Sequence, residues 1–284
     1  MIPAGKTYIT YPSRTSELKI TNFSDVHLGA GACDEKMLRR DILAVENDPN
    51  GLWVMTGDYG EFINFRDKRF DPASVAPWID VDELAKVGQR INEKVFELFY
   101  PIRKKCLGIG IGNHEWSYSS RNDGGDRHDW LCCELGVRTL GYSSLQQLSF
   151  VRTSCSEPRI TRESVRGFSC TTLKMFTHHG AGGAQTKGGK INRLKKFMDS
   201  FDADIYFVGH VHDKTGTREN VLTVDKDGTK IIRREKLGVV SGGYLKTYAP
   251  GAAGYGERAG YGPTTNGSAW VTIKPETREL AGQI

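Results

Sequence analysis

Residues 205–212 read Ile-Tyr-Phe-Val-Gly-His-Val-His. Four β-branched or aromatic apolar residues are too few for a helix and fit a buried strand. The run stops at Gly209, and two histidines follow, two positions apart. On an extended chain end, residues two apart point the same way, so His210 and His212 can face one locus. The pattern recurs along the chain. Leu18 to Phe23 leads into Asp25-Val26-His27, Leu52 to Met55 into Gly57-Asp58, Cys106 to Ile111 into Gly112-Asn113-His114-Glu115, and Leu173 to Phe176 into His178-His179-Gly180. Each apolar run thus ends in residues able to bind a metal or move a proton. In an open sheet of an α/β protein, that edge is where ligands bind.

Between these runs lie helical patterns. Leu84, Val87, Ile91, Val95 and Leu98 follow a 3-4-4-3 spacing that stops at Pro101, and Ile191, Leu194, Phe197 and Met198 mark one face of a later helix. Strands alternating with helices predict an α/β layered fold. Leu222 to Val224 and Lys230 to Arg233 flank Lys226-Asp227-Gly228, which suits a hairpin. A second antiparallel pair is expected around Leu148 to Arg152 and Phe168 to Phe176. Residues 242–267 hold eight glycines and four tyrosines without apolar periodicity and read as a long surface loop. No repeat or linker interrupts the chain, so residues 1–284 read as one catalytic domain.

The 284 residues are 38% hydrophobic and 26% charged, which suits a folded domain and argues against global disorder. No stretch approaches the roughly 18 apolar residues of a membrane span, and the N-terminus lacks the layout of a signal peptide. A soluble, cytoplasmic protein with no membrane partner is expected. The six cysteines form no CxxC pair, so they read as reduced structural thiols. A net charge of +5 gives a mildly basic surface, favourable to phosphate-bearing substrates but too small to establish nucleic-acid binding.

Taken singly, an Asp-x-His triplet or a Gly-Asp pair is most often a turn or a cap. The order D-x-H, G-D, G-N-H-[DE], H, G-H-x-H, spanning Ile20 to Gly243, resembles the calcineurin-like metallophosphoesterases. That resemblance implies a β-sandwich flanked by helices in α-β-β-α layers, with a dinuclear centre of two divalent metal ions (Mn2+, Fe2+/Fe3+, Zn2+ or similar) at one edge. It also implies the ligands: Asp25, His27 and His212 for one ion, Asn113, His178 and His210 for the other, and Asp58 bridging. Mixed imidazole and carboxylate donors suit these transition metals better than Ca. By the same resemblance His114 acts on the leaving oxygen without holding a metal, and Glu115 orients its ring. Of the adjacent pair, His178 is the expected ligand, with His179 as the alternative and outer partner. His128 falls in no motif and reads as a partly exposed residue at a helix start.

Substrate contacts are less legible. Gly180 to Gly189 precedes a helix carrying Lys187, Lys190, Arg193, Lys195 and Lys196. This stretch reads equally as an anion cradle with a phosphate track or as a flexible loop with a solvated helix face. Arg121 and Asn122 follow His114 closely enough to reach substrate phosphate. Tyr244, Tyr248, Tyr255 and Tyr261 either stack on bases or belong to a mobile loop, and Glu61 to Asp82 reads as a wall of the cleft. The expected function is a phosphodiesterase on nucleotide or nucleic-acid substrates. The alternatives are a phosphomonoesterase, which uses the same centre, and a non-catalytic scaffold. The texture also resembles phage or prophage phosphoesterases.

Overall fold

The structure is a computed structural model that describes residues 1–65, 67–121, 127–225, 227–248, 257 and 260–282. In chain order the strands are β1 (Ile2–Tyr11), β2 (Leu18–Phe23), β3 (Gly51–Met55), β4 (Cys106–Gly110), β5 (Thr139–Gly141), β6 (Ser143–Arg152), β7 (Arg159–Thr161), β8 (Ser169–His178), β9 (Ile205–Val208), β10 (Thr215–Val224), β11 (Ile231–Val240), β12 (Ala269–Lys274) and β13 (Glu279–Gly282). The helices are α1 (Glu35–Asn47), α2 (Val87–Phe99), α3 (Asn113–Arg121), α4 (Arg127–Leu135) and α5 (Lys187–Ser200).

Two mixed sheets form. One has six strands in the order β13-β12-β2-β3-β4-β5, the other seven in the order β10-β11-β9-β8-β6-β1-β7. Period-two alternation assigns each strand's faces. Ile20, Leu52, Val54 and Leu107 of the first sheet meet Phe150, Met175, Ile205 and Phe207 of the second in a fully buried layer. The opposite face of the first sheet, with Phe23, Trp53 and Met55, packs under α1, α2 and α4. The opposite face of the second, with Phe176, Tyr206 and Val208, takes Leu194 and Met198 of α5. Helices therefore cover both outer faces, in the α-β-β-α order expected.

Local signals explain the element ends. The Asp34 side chain accepts the Met37 N–H and caps α1, and Thr186 does the same for Gly189 at α5. In α2 the buried Val87, Ile91, Val95 and Leu98 repeat the helical spacing of the sequence. The hairpin β10–β11 and the antiparallel pair β6–β8 form as expected, while β1, which pairs in parallel with β6, carried no clear signal. All six cysteines are free thiols. Among the described residues, no helix is long and apolar enough to cross a membrane.

The topology decides where the motifs meet. β2, β3 and β4 run parallel, so the loops carrying Asp25, Asp58 and Asn113 leave the first sheet at one edge. β8, β9 and β11 are likewise parallel to one another, which brings His179, His210 and Gly243 out together from the second.

Candidate metal centre

Among the described residues, seven non-glycine positions have positive φ: Asp25 (51°), His27 (50°), Asp58 (48°), Phe62 (49°), His210 (74°), His212 (49°) and Arg278 (59°). Five of these are candidate ligands. Left-handed backbone is unfavourable for a residue with a Cβ and persists where the surroundings over-determine it. Here the motif glycines help to impose it. A Cβ on Gly209 would lie 1.9 Å from Ser24 Oγ, and one on Gly112 would lie 2.1 Å from Asp58 Oδ1. Only glycine lets the loops after β9 and β4 come this close to the carboxylate loops.

The side chains converge in three overlapping groups: Asp25, Asp58, His179 and His210; Asp25, His27 and His212; and His27, Asp58 and His114, with donor atoms in each within 4.8 Å of one another. Asp58 Oδ2 is 3.1 Å from His179 Nε2 and 3.8 Å from His27 Nε2, and Asp25 Oδ1 is 3.4 Å from His212 Nε2. Asn113 Oδ1 is 3.0 Å from His179 Nε2, which also lies 3.2 Å from His210 Nδ1. His27 Nε2 and His212 Nε2 are 3.3 Å apart. Ring nitrogens and carboxylate oxygens thus crowd around common points. The donor set of carboxylate, imidazole and amide therefore fits one or two borderline transition-metal ions.

The carboxylates of the rim are buried, with His210 and His212 half-buried at its outer side. Burial favours the neutral Asp25 carboxyl, but His212 and His179 hold it well below the usual carboxylate range. Asp58 is held down in the same way by His179 and His114. Burial disfavours the His179 cation, yet Asp58 and Asp25 push its pKa up to about 9. His27 and His210 are lowered, chiefly by burial.

His179, not the expected His178, joins this group. His178 is the last residue of β8, and the alternating faces of the strand turn its ring outward onto Phe197 of α5, with centroids 4.5 Å apart. Its Nδ1 accepts the Gly180 N–H at 2.7 Å, and burial lowers its pKa to about 4. His179, one residue on, points to the rim, and its Nδ1 is 3.0 Å from the Thr56 carbonyl oxygen.

Glu115 does not orient His114. Both begin α3, where successive side chains diverge by about 100°. Glu115 therefore turns inward, accepting the N–H groups of Asp58 (2.9 Å), Gly112 (2.7 Å) and Gly60 (3.2 Å), and burial beside Asp58 pushes it up to about 7. His114 Nδ1 instead donates to the Glu61 carbonyl oxygen at 2.5 Å, which leaves Nε2 for the site. Burial opposes its protonation, but Asp58 and Glu61 raise its pKa. Glu61 is the residue that sequence reading missed as a participant. Its carboxylate is 2.7 Å from His27 Nδ1 and 3.7 Å from His114 Nδ1. No motif spacing marks it, because its role comes from the loop after Asp58 folding back over His27.

The expected substrate contacts fare differently. Lys190 is buried and paired with Asp213 at 2.9 Å, because its position in α5 faces the loop after His212. Arg193 donates to the Ala181 carbonyl and Lys195 pairs with Glu219, while Lys187 is exposed. The helix face is thus mainly structural. Arg121 pairs with Asp67 at 2.6 Å and borders a small cleft with His114 and Arg69, and Asn122 lies outside the described residues. Tyr244 is no surface tyrosine: it is fully buried, stacked on Phe23, with its hydroxyl donating to Asp41 Oδ2 at 3.0 Å. The start of the 242–267 stretch is therefore core rather than surface loop. Tyr248 is exposed and Tyr255 lies outside the described residues. His128 is buried at 5% exposure, not partly exposed, and its Nε2 is 2.7 Å from Thr139 Oγ1.

No protein-family model matches the chain, and no curated protein matches it. Several solved structures are similar, among them two at 10% identity. One is a conserved uncharacterized protein, a predicted phosphoesterase, from Streptococcus pneumoniae TIGR4, matched over 94% of this chain and 99% of that one with a TM-score of 0.34. The other is a single mutant of Vps29 from Entamoeba histolytica, matched over 94% and 98% with a TM-score of 0.33. Both overlaps are too loose to transfer an activity to this chain.

Proposed function

We propose that the protein is a dinuclear-metal-dependent phosphoester hydrolase. The observation that carries this reading is the convergence of five left-handed donor residues, buried or half-buried, from three separate loops onto one rim. Strain of that kind, at residues able to bind metal, is the signature of a site maintained for chemistry rather than for packing. Asp25, His27 and His212 would hold one ion, Asn113, His179 and His210 the other, with Asp58 between them. Ions held there would supply activation of a water and neutralisation of charge on the phosphoryl oxygens.

The chain's own groups supply the rest. His114 is anchored through Nδ1 and presents Nε2 to the rim, so it can carry a proton to the leaving oxygen. Glu61 fixes the His27 ring, and Glu115 ties the loops after β3 and β4 together through three N–H groups. Fewer basic and aromatic features favour a diester substrate than the sequence implies, since Lys190 and Tyr244 are internal. The net charge of +5 and the exposed Lys187 remain in its favour.

The test is hydrolysis of bis-p-nitrophenyl phosphate and p-nitrophenyl phosphate by the purified chain before and after exhaustive chelation, with Mn2+ restored. Turnover should vanish on chelation and return with Mn2+, and a higher kcat/KM on the diester is expected. Undiminished turnover in chelator would refute the metal-dependent reading, and a preference for the monoester would make the protein a phosphomonoesterase.

A further inference from the structure

Away from the metal centre, the outer face of the six-stranded sheet is left open beside α1. There Lys19 and Thr21 of β2, Trp270 of β12, Arg40 and Asp41 of α1, and Lys214 enclose a cleft of about 210 Å³. We propose that this cleft binds a small phosphorylated ligand, held through its phosphate by Lys19, Arg40 and Lys214.

The first reason is unspent donors. Among the described residues, no hydrogen bond or ion pair engages Lys214 Nζ or Thr21 Oγ1, both on the cleft wall, and Lys19 Nζ lies 4.9 Å from the Trp270 ring centroid. Lysines that serve structure in this chain have acceptors within the protein: Lys190 Nζ meets the Asp213 carboxylate at 2.9 Å and Lys236 Nζ the Met198 carbonyl at 2.6 Å.

The second reason is that the nearest carboxylate is already saturated. Asp41 Oδ1 takes Arg40 Nε and Nη2 at 3.1 and 2.8 Å. Asp41 Oδ2 takes the Tyr244 hydroxyl at 3.0 Å and the Ser268 N–H and hydroxyl at 3.1 and 2.9 Å. It has no lone pair left for Lys214. Asp48, the other acid on the wall, accepts the Asn50 N–H at 2.9 Å. Three cations against these two carboxylates leave one positive charge in excess.

Size limits the occupant. The cleft is smaller than the roughly 300 Å³ at which pockets for drug-sized ligands begin. It therefore suits a compact phosphate ester rather than a nucleic-acid strand, with Trp270 and the aliphatic stem of Lys19 as an apolar wall. Gly267 leaves the Lys214 side chain its path, since a Cβ there would stand 3.2 Å from Nζ.

Phosphate also has affinity for metal centres, so the readout must be local to the cleft. The five tryptophans, Trp53, Trp78, Trp116, Trp130 and Trp270, give five indole N–H signals in a 1H–15N spectrum of the full metal-loaded chain. Titration with inorganic phosphate should move the Trp270 signal saturably, while chloride at matched ionic strength should not. Lys214→Met and Lys19→Met should each weaken that response about tenfold, as expected for a lost charge-assisted hydrogen bond, with the other four signals in place as evidence of folding. A Trp270 signal that ignores phosphate, follows chloride equally, or saturates at the same concentration in both variants would overturn the site.

Discussion

Two groups of charged side chains adjoin at Asp213 and His212 and behave in opposite ways. Under the glycine-rich loop, Lys190 and Asp213 close on each other at 2.9 Å, one cation and one anion, with Thr265 N–H on the remaining carboxylate oxygen. At the rim, Asp25 and Asp58 face His27, His179, His210 and His212, and imidazole nitrogens confront each other at 3.2 and 3.3 Å. The first group is complete within the protein. The second, with donors of one kind turned toward one another on strained backbone, is incomplete without a cation or protons. Burial of charge therefore does not identify a site here; internal completeness does.

The comparison breaks most visibly at Asp58. Asp58→Asn should abolish metal-dependent hydrolysis to the level seen in chelator and lower the bound metal per chain, read by elemental analysis of the purified variant. Full metal content with most of the rate retained would remove Asp58 from between the two ions. Next in size is His114→Ala, which should keep both metals and lose roughly a hundredfold to ten-thousandfold in turnover. That loss should be larger for an alkyl or nucleoside ester than for p-nitrophenyl phosphate, whose leaving group departs without a proton. A loss of metal instead would make His114 a ligand.

The adjacent histidines sharpen the contrast within one dipeptide. His179→Ala should lose metal and activity, whereas His178→Ala should keep metal stoichiometry while giving up its packing on Phe197 and Phe176. A reversal of those two outcomes in the metal analysis would return the ligand role to His178. Glu61→Gln, which weakens the hold on His27 and removes a charge beside His114, should cost roughly ten- to a hundredfold in metal affinity or activity, the usual effect of an outer partner. Equal metal affinity and rate would leave Glu61 as a mere wall.

The smallest effect on chemistry belongs to the complete pair. Lys190→Met should leave kcat on a small chromogenic ester unchanged while destabilising the fold by about 3–5 kcal/mol, because Asp213 is then buried without its counter-ion. Denaturant unfolding of the variant beside the parent measures the second part. A large loss of turnover with unchanged stability would restore Lys190 to the substrate path.

Much of this was legible in the sequence because it is local. Apolar runs of four to six residues predict strands, a donor after a glycine marks a sharp exit from the strand, and the order of the motifs points to one rim. Asp25, His27, Asp58, Asn113, His114, His210 and His212 could be named as candidates before any coordinates. What periodicity could not resolve was a single-residue question of strand phase: whether β8 ends with His178 or His179 facing the rim follows from which faces of that strand meet α5 and the facing sheet. The helical turn at α3 likewise sent Glu115 inward, away from its neighbour's ring.

The partners of Lys190, Tyr244 and Glu61 were decided only in three dimensions. Asp213, Asp41 and His27 lie 23, 203 and 34 residues away from them in the chain. A basic helix face or a tyrosine among glycines has the same composition whether it meets solvent or a buried carboxylate, because composition sets what a side chain can do and not what stands opposite it. The sequence by itself determined the layered α/β architecture and the chemistry available at the strand ends. Tertiary structure decided which of those groups are satisfied internally and which are left facing one another, because satisfaction of a buried charge depends on atoms brought together by the packing of two sheets.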